Sequence, residues 1–343
     1  MKRIIAAIIC AASCVSLTGC ELDISNSGNG GNGATAGTKK PAASEGVPDT
    51  GDGDGDSDIG YAGALDGIEI YFLDVGQADC TLIHDDKHDL DILIDGGNRG
   101  DANDMIAFFE YLGIDDIDIM IATHPHEDHI GGLPAVISAF DIGTIYMPYV
   151  EEKHMPTTKI YEQFLTAIAD NNIDAVVPEE GEMLYDDYGL RIECLYDGHL
   201  GTDDYNTYSI VAKASYGDID IMLTGDADRE VEDYVLAAYS SDKLDCEILK
   251  AGHHGSRTAS SAAWLKAVSP EIATIPCETG NSYGHPHAET MKNLRGFGVE
   301  ILDMREYGTI MISTDGLDYD VFTGLTGEYP LGSADYKGEI LLP

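Results

Sequence analysis

The sequence predicts a layered α/β domain over residues 67–324. Three observations predict it: short β-branched runs of strand length, segments of helical apolar spacing lying between them, and polar, glycine-containing clusters at the ends of the runs. Several of those clusters carry histidine and aspartate together, which places chemistry at the strand ends.

Taken in order, Ile68-Glu69-Ile70-Tyr71-Phe72-Leu73 and Asp91-Ile92-Leu93-Ile94 read as strands, each followed by a turn containing glycine. Ala102 to Tyr111 and Tyr161 to Asn171 carry the apolar spacing of helices. Ile117 to Ala122 is a largely apolar run that reads as a buried strand leading into Thr123. Ser209 to Ala214 and Asp218 to Leu223 flank Tyr216-Gly217 as a hairpin. Arg229 to Tyr239 reads as a helix and Asp245 to Leu249 as a strand. There is no internal repeat, and residues 325–343 read as a loosely packed C-terminal tail.

The N-terminus has a different character. Lys2 and Arg3 precede an apolar run from Ile4 to Val15, too short to span a bilayer as a mature helix, so residues 1–20 read as a secretory signal. Leu17-Thr18-Gly19-Cys20 resembles a bacterial lipobox, which implies acylation of Cys20 after export. A plain signal peptide or a short apolar anchor is the simpler alternative. Residues 21–66 are rich in Gly, Asn, Ser and Asp with few groups to bury, and read as a flexible acidic linker. About 40 residues of such coil would hold the domain roughly 35 Å from its anchor. Asp52-Gly53-Asp54-Gly55-Asp56 lacks the glycine and glutamate placement of an EF-hand loop, so it reads as solvated linker. The expected location is outside the cytoplasm: attached by lipid to the outer face of the cytoplasmic membrane, or periplasmic or extracellular.

A formal net charge of −43, from 62 Asp and Glu against 19 Lys and Arg, repels polyanions at long range. No basic patch is present, which argues against a stable nucleic-acid partner, and any anionic substrate has to be held locally by metal. Beyond the signal and Cys20, four cysteines remain (Cys80, Cys194, Cys246 and Cys277), too widely spaced for a disulfide framework and expected as buried thiols.

The strongest chemical signal is His124-Pro125-His126-Glu127-Asp128-His129, directly after a strand. Two histidines at i and i+2 in extended chain can address one ion, while Asp128 and His129, turning into a helix, can address a second. Imidazole with carboxylate suits Zn²⁺, Mn²⁺ or Fe²⁺ better than Ca²⁺. Two divalent ions are therefore expected, Zn²⁺ first and Mn²⁺ second.

On this segment the chain resembles the metallo-β-lactamase-fold hydrolases, whose hallmark is His-x-His-x-Asp-His. That resemblance implies a four-layer αββα sandwich with metals at one edge of the sheets. It also implies roles for further motifs. Asp95-Gly96-Gly97 matches the early turn whose aspartate supports the metal loop. Leu223-Thr224-Gly225-Asp226 matches the strand-end aspartate that bridges both ions. Gly252-His253-His254-Gly255-Ser256 matches the late histidine motif, with His253 the preferred ligand and His254 a supporting or alternative one.

Phe72-Leu73-Asp74-Val75-Gly76-Gln77-Ala78-Asp79, Lys250-Ala251-Gly252-His253-His254-Gly255-Ser256 and Asn281-Ser282-Tyr283-Gly284-His285-Pro286-His287 resemble more narrowly the hydrolase domain of ComEC-type competence proteins. By that resemblance Asp74, Gln77 and Asp79 line or brace the site, Lys250 supports it, and His285 binds substrate or transfers a proton. Where many relatives carry a Gly-His-Thr turn, this chain has Asp204-Tyr205-Asn206-Thr207, as the ComEC-type pattern does. Asn206 is then expected to hydrogen-bond water or substrate, and the departure argues against β-lactam hydrolysis.

The expected function is metal-assisted hydrolysis of a phosphodiester, with Asp128, His285, Asn206 and Asp74 the catalytic candidates. Two other readings remain open at this level: a lactam, lactone or thioester hydrolase of the same fold, and a lipid-anchored binding protein with a degenerate site.

Overall fold

Alternation along the first strand, β1 (Ile68–Phe72), sets the architecture. Ile68, Ile70 and Phe72 enter one apolar cluster while Tyr71 enters another, because successive side chains of a strand point to opposite faces. The computed structural model describes residues 64–325 and 339–341. The expected signal, Cys20 and nearly all of the linker lie outside the described residues.

Two sheets stack face to face. The larger comprises β1, β2 (Thr81–Asp85), β3 (Leu90–Ile94), β4 (Asp116–Ile121), β5 (Asp141–Tyr146), β6 (Asp174–Val176), β14 (Thr309–Thr314), β15 (Tyr319–Leu325) and β16 (Glu339–Leu341). Its order is β16-β15-β14-β1-β2-β3-β4-β5-β6, antiparallel up to β3 and parallel from β3 to β6. The smaller sheet contains β7 (Met183–Asp187), β8 (Leu190–Tyr196), β9 (Val211–Tyr216), β10 (Ile219–Leu223), β11 (Ile248–Lys250), β12 (Ile272–Ile275) and β13 (Glu300–Asp303). Its order is β13-β12-β11-β10-β9-β8-β7, parallel from β10 to β13.

Ile70, Ile92, Ile192, Ile221, Ile248 and Ile312 fill the space between the sheets. On the outer face of the larger sheet pack α1 (Ala102–Leu112), α3 (Leu133–Ala139) and α4 (Lys159–Asp170), through Phe108, Phe109, Leu133, Val136 and Phe164. On the outer face of the smaller sheet, α5 (Arg229–Ala238), α7 (Ala262–Val268) and α8 (Ala288–Phe297) contribute Val231, Val235, Trp264, Leu265 and Leu294. Each sheet is thus sealed on both faces, and the four-layer αββα expectation holds.

Three local expectations change. The strand expected over Asp245 to Leu249 is confined to β11, because a short helix α6 (Ser241–Leu244) precedes it and the Asp245 N–H closes that turn onto the Ser241 carbonyl at 2.8 Å. Residues 339–341, part of the expected tail, pair with β15 and satisfy its free backbone edge. His84, which with His88, His154, His199 and His287 has no role assigned by the sequence and reads as a surface histidine, is instead buried, and its Nδ1 lies 2.7 Å from Asp91 Oδ1. The four described cysteines are buried free thiols.

Candidate metal centre

β4 delivers the histidine segment, and Asp95, just past β3, receives it. The Thr123 N–H donates to Asp95 Oδ1 at 2.8 Å and the Thr123 hydroxyl to Asp95 Oδ2 at 2.7 Å. His129 Nδ1 donates to the same Oδ2 at 2.7 Å. Asp95 reaches this position from left-handed backbone (φ 59°), which short polar side chains tolerate better than most. His126 stands in extended backbone at the start of α2 (Glu127–Ile130), so the chain turns and His129 folds back beneath His124. The turn closes at Gly131, where a Cβ would meet the Arg99 backbone nitrogen and the Glu127 carbonyl, each at 2.4 Å.

Two groups of ligand atoms result, and one carboxylate belongs to both. Asp128, His129, Asp226 and His254 offer atoms all within 4.8 Å of one another, as do His124, His126 and Asp226. Asp226 follows β10 through Gly225, whose positive φ of 49° and contact with Thr123 leave no room for a side chain. Asp226 Oδ1 lies 3.2 Å from His129 Nε2 and 3.5 Å from His254 Nε2, whereas Oδ2 lies 3.9 Å from His124 Nε2. His254 Nε2 is also 3.3 Å from Asp128 Oδ2.

The approach of His129 Nε2 to Asp226 Oδ1 is not aligned as a hydrogen bond. His129 Nε2, His254 Nε2 and Asp226 Oδ1 are all buried without a hydrogen-bond partner. Three convergent orphaned atoms are costly unless something fills the space between them. Their nitrogen and carboxylate chemistry suits a divalent transition metal, so the residues fit the two-ion expectation.

The late histidine pair divides in an order opposite to the sequence preference. His253 and His254 both occupy left-handed backbone (φ 50° and 53°), which turns their rings apart, with centroids 6.2 Å apart. His254 joins Asp128, His129 and Asp226. His253 instead faces the other oxygen, its Nε2 lying 3.7 Å from Asp226 Oδ2, while its Nδ1 is 3.5 Å from Asn206 Nδ2 and 3.3 Å from Thr258 Oγ1. Asn206 is therefore present beside His253, in a 3-10 turn (Tyr205–Tyr208) capped by Asp204. Its Oδ1 is buried without a partner.

Beneath the ligands, Lys250 is buried, donates to the Gly225 carbonyl at 2.7 Å, and pairs with Asp79. Asp79 Oδ1 lies 3.2 Å from His254 Nδ1, which also donates to the Pro276 carbonyl at 2.9 Å. These contacts direct Nε2 of His254 toward the cluster, in the manner of outer-shell partners at metal sites. Burial pushes the Asp79 carboxyl upward, but Lys250, His254 and His129 outweigh it and hold the group below its ordinary range. Burial likewise opposes the charged form of His254, yet Asp226 and Asp79 lift its pKa to about 10.

His285 stands next to the pair, its ring 5.5 Å from that of His253 and 6.2 Å from that of His254. Gln77 Nε2 lies 3.3 Å from His285 Nδ1, which places Gln77 beside the site. Asp74 stands apart. It is exposed, accepts from the Gly76 N–H at 3.2 Å, and borders a neighbouring acidic cleft with Asp101, Asp104 and Glu278, outside both ligand groups. Thr123, bonded to Asp95, Tyr205, with its ring 5.5 Å from that of His126, and Tyr283, with its ring 5.5 Å from that of His285, also border the site, and the sequence motifs give none of them a role. A hydroxyl directly before the first histidine was the available signal for Thr123. Nothing local marked the other two.

Helix-flanked mixed sheets with a histidine and aspartate cluster at one edge define a class, and the comparisons agree. The chain belongs to the metallo-beta-lactamase superfamily, whose family model matches residues 73–279. Among curated proteins it is similar to ComE operon protein 3 of Bacillus subtilis, 25% identical over 258 residues that cover 71% of this chain and 32% of that protein. It is also similar to Recombination protein 2 of Haemophilus influenzae, 28% identical over 245 residues covering 70% of this chain and 28% of that one. The chain thus matches about a third of the length of these ComEC-type relatives. Among solved structures it is similar to Igni18, a metallo hydrolase from Ignicoccus hospitalis, with 15% identity, a TM-score of 0.46, and coverage of 72% of this chain and 100% of that one.

Proposed function

We propose that the chain is a metal-dependent phosphodiesterase of the ComEC type, tethered outside the cytoplasm by lipid on Cys20 and the linker 21–66. The observation that carries this reading is the Asp226 carboxylate, with Oδ1 toward His129 and His254 and Oδ2 toward His124 and His253. A carboxylate shared between two nitrogen-rich groups suits a pair of divalent ions, Zn²⁺ or Mn²⁺. Held there, such a pair supplies Lewis-acid charge and activates water for displacement at phosphorus.

The chain's own groups do the rest. Asp128 is the most open ligand carboxylate, with its side chain 30% exposed against 2% for Asp226, and is placed to orient the attacking water. Gln77 donating to Nδ1 of His285 leaves the proton of that imidazole on Nε2. Burial, together with His253, His254 and His287, pushes the His285 pKa down to about 4, so it serves as a neutral N–H donor to a substrate oxygen. With a net charge of −43, the hold on a phosphodiester rests on the ions and short-range contacts. The substrate is nucleic acid or a phosphodiester-decorated envelope component.

Hydrolysis of a model aryl phosphodiester with added Zn²⁺ or Mn²⁺ tests this. His126→Ala and Asp226→Asn are each expected to lower the rate more than about tenfold. Equal rates in all three proteins would overturn the reading.

A further inference from the structure

Tyr283 is the second most exposed large hydrophobic side chain among the described residues (66%), yet one face of its ring is occupied. It lies nearly parallel to His285, with centroids 5.5 Å apart and planes 23° apart. His285 in turn lies nearly parallel to His254, at 6.2 Å and 25°. A column of three rings therefore runs from the buried ligand cluster to solvent and ends on the free face of Tyr283.

The end of the column is held in place. Asn281 Oδ1 accepts from the N–H of Tyr283 at 3.2 Å and of His285 at 3.0 Å, and Asn281 Nδ2 donates to the His285 carbonyl at 2.7 Å. Arg305 reaches the same carbonyl at 3.4 Å. The turn passes through Gly284 in left-handed backbone (φ 77°). An aromatic ring fixed beforehand loses little freedom on binding, and that is the requirement for a stacking platform.

We infer that Tyr283 stacks a nucleobase of a single-stranded nucleic-acid substrate, displaced along the strand from the phosphate being cut. This inference rests on the phosphodiesterase reading and narrows its substrate class. Within the phosphodiesterase reading, the bases are the parts of a strand whose flat faces such a ring can stack. Most proteins that hold single strands use a basic groove, which a chain of net charge −43 lacks, leaving stacking as the sequence-tolerant source of affinity.

The test compares a short oligothymidylate with an abasic oligomer of the same length, using metal-loaded wild type, Tyr283→Ala and Tyr283→Phe. Wild type is expected to show a KM about tenfold lower for the base-bearing strand. Tyr283→Ala should abolish that preference, and Tyr283→Phe should keep it. Retention of the wild-type preference by Tyr283→Ala would overturn the inference, as would its absence from wild type. Cleavage of neither polymer by wild type, together with no hydrolysis of the aryl phosphodiester, would instead defeat the phosphodiesterase reading. Equilibrium binding of the two oligomers to the same three proteins then decides the stacking inference, and equal binding of both by wild type overturns it.

Discussion

Oδ2 of Asp95 lies 2.7 Å from Nδ1 of His129, across a separation of 34 residues. The same oxygen accepts the hydroxyl of Thr123, which in turn stands 3.1 Å from His124 Nδ1. One carboxylate thereby orients a histidine of each ligand group, leaving both Nε2 atoms for the cluster.

Asp95→Asn keeps the shape and tolerates the left-handed backbone, but three donors meet the two carboxylate oxygens, so in either orientation the amide NH2 faces a donor. Metal affinity is expected to fall about 10–100-fold, as is usual when such outer partners are lost. Competition with a chromophoric chelator measures it, with far-UV circular dichroism confirming the fold. Wild-type affinity in the variant would contradict this account.

Lys250→Met should destabilise the fold. The buried ammonium neutralises Asp79, and removing it leaves a buried carboxylate beside Asp95 without its strongest counter-charge. Breaking a buried pair of this kind costs roughly 3–5 kcal/mol, and Asp79→Asn added to Lys250→Met should recover part of it. Urea unfolding of the two variants reads the difference.

Glu232 predicts a pH dependence located away from the metal centre. Burial raises its pKa from 4.5 to about 7, although it accepts from the Ser261 N–H at 3.1 Å at the start of α7. A raised pKa means the folded state binds the proton more tightly than the unfolded one. The stability this contributes is fully present below the unfolded value and is lost as pH rises through about 7. Between about pH 5 and about pH 8 the difference is on the order of 2 kcal/mol. Glu232→Gln should flatten this part of the urea stability profile, and a profile parallel to wild type would refute the assignment.

Much of the fold was legible where periodicity was strong. β1, β3, β4, α1, α4 and the β9–β10 hairpin lie close to their expected positions. β12 and β13 were not read, since four-residue parallel strands carry too little alternation to stand out. β14 is buried on every residue and likewise shows no alternation. His84 was misplaced because its burial depends on Asp91 across a strand pair, which local composition does not encode.

The sequence by itself determined the ligand inventory, because His124, His126, Asp128 and His129 are brought together by a strand end and one helical turn. It also placed Asp226 and the His253–His254 pair at strand ends. Only the tertiary structure decided how those parts divide: His254 with Asp128 and His129, His253 beside Asn206, Asp226 between them, and Asp74 outside both groups. The reason is physical. Adjacent residues in left-handed backbone point their side chains in different directions, and which direction meets a ligand depends on how the two sheets stack face to face.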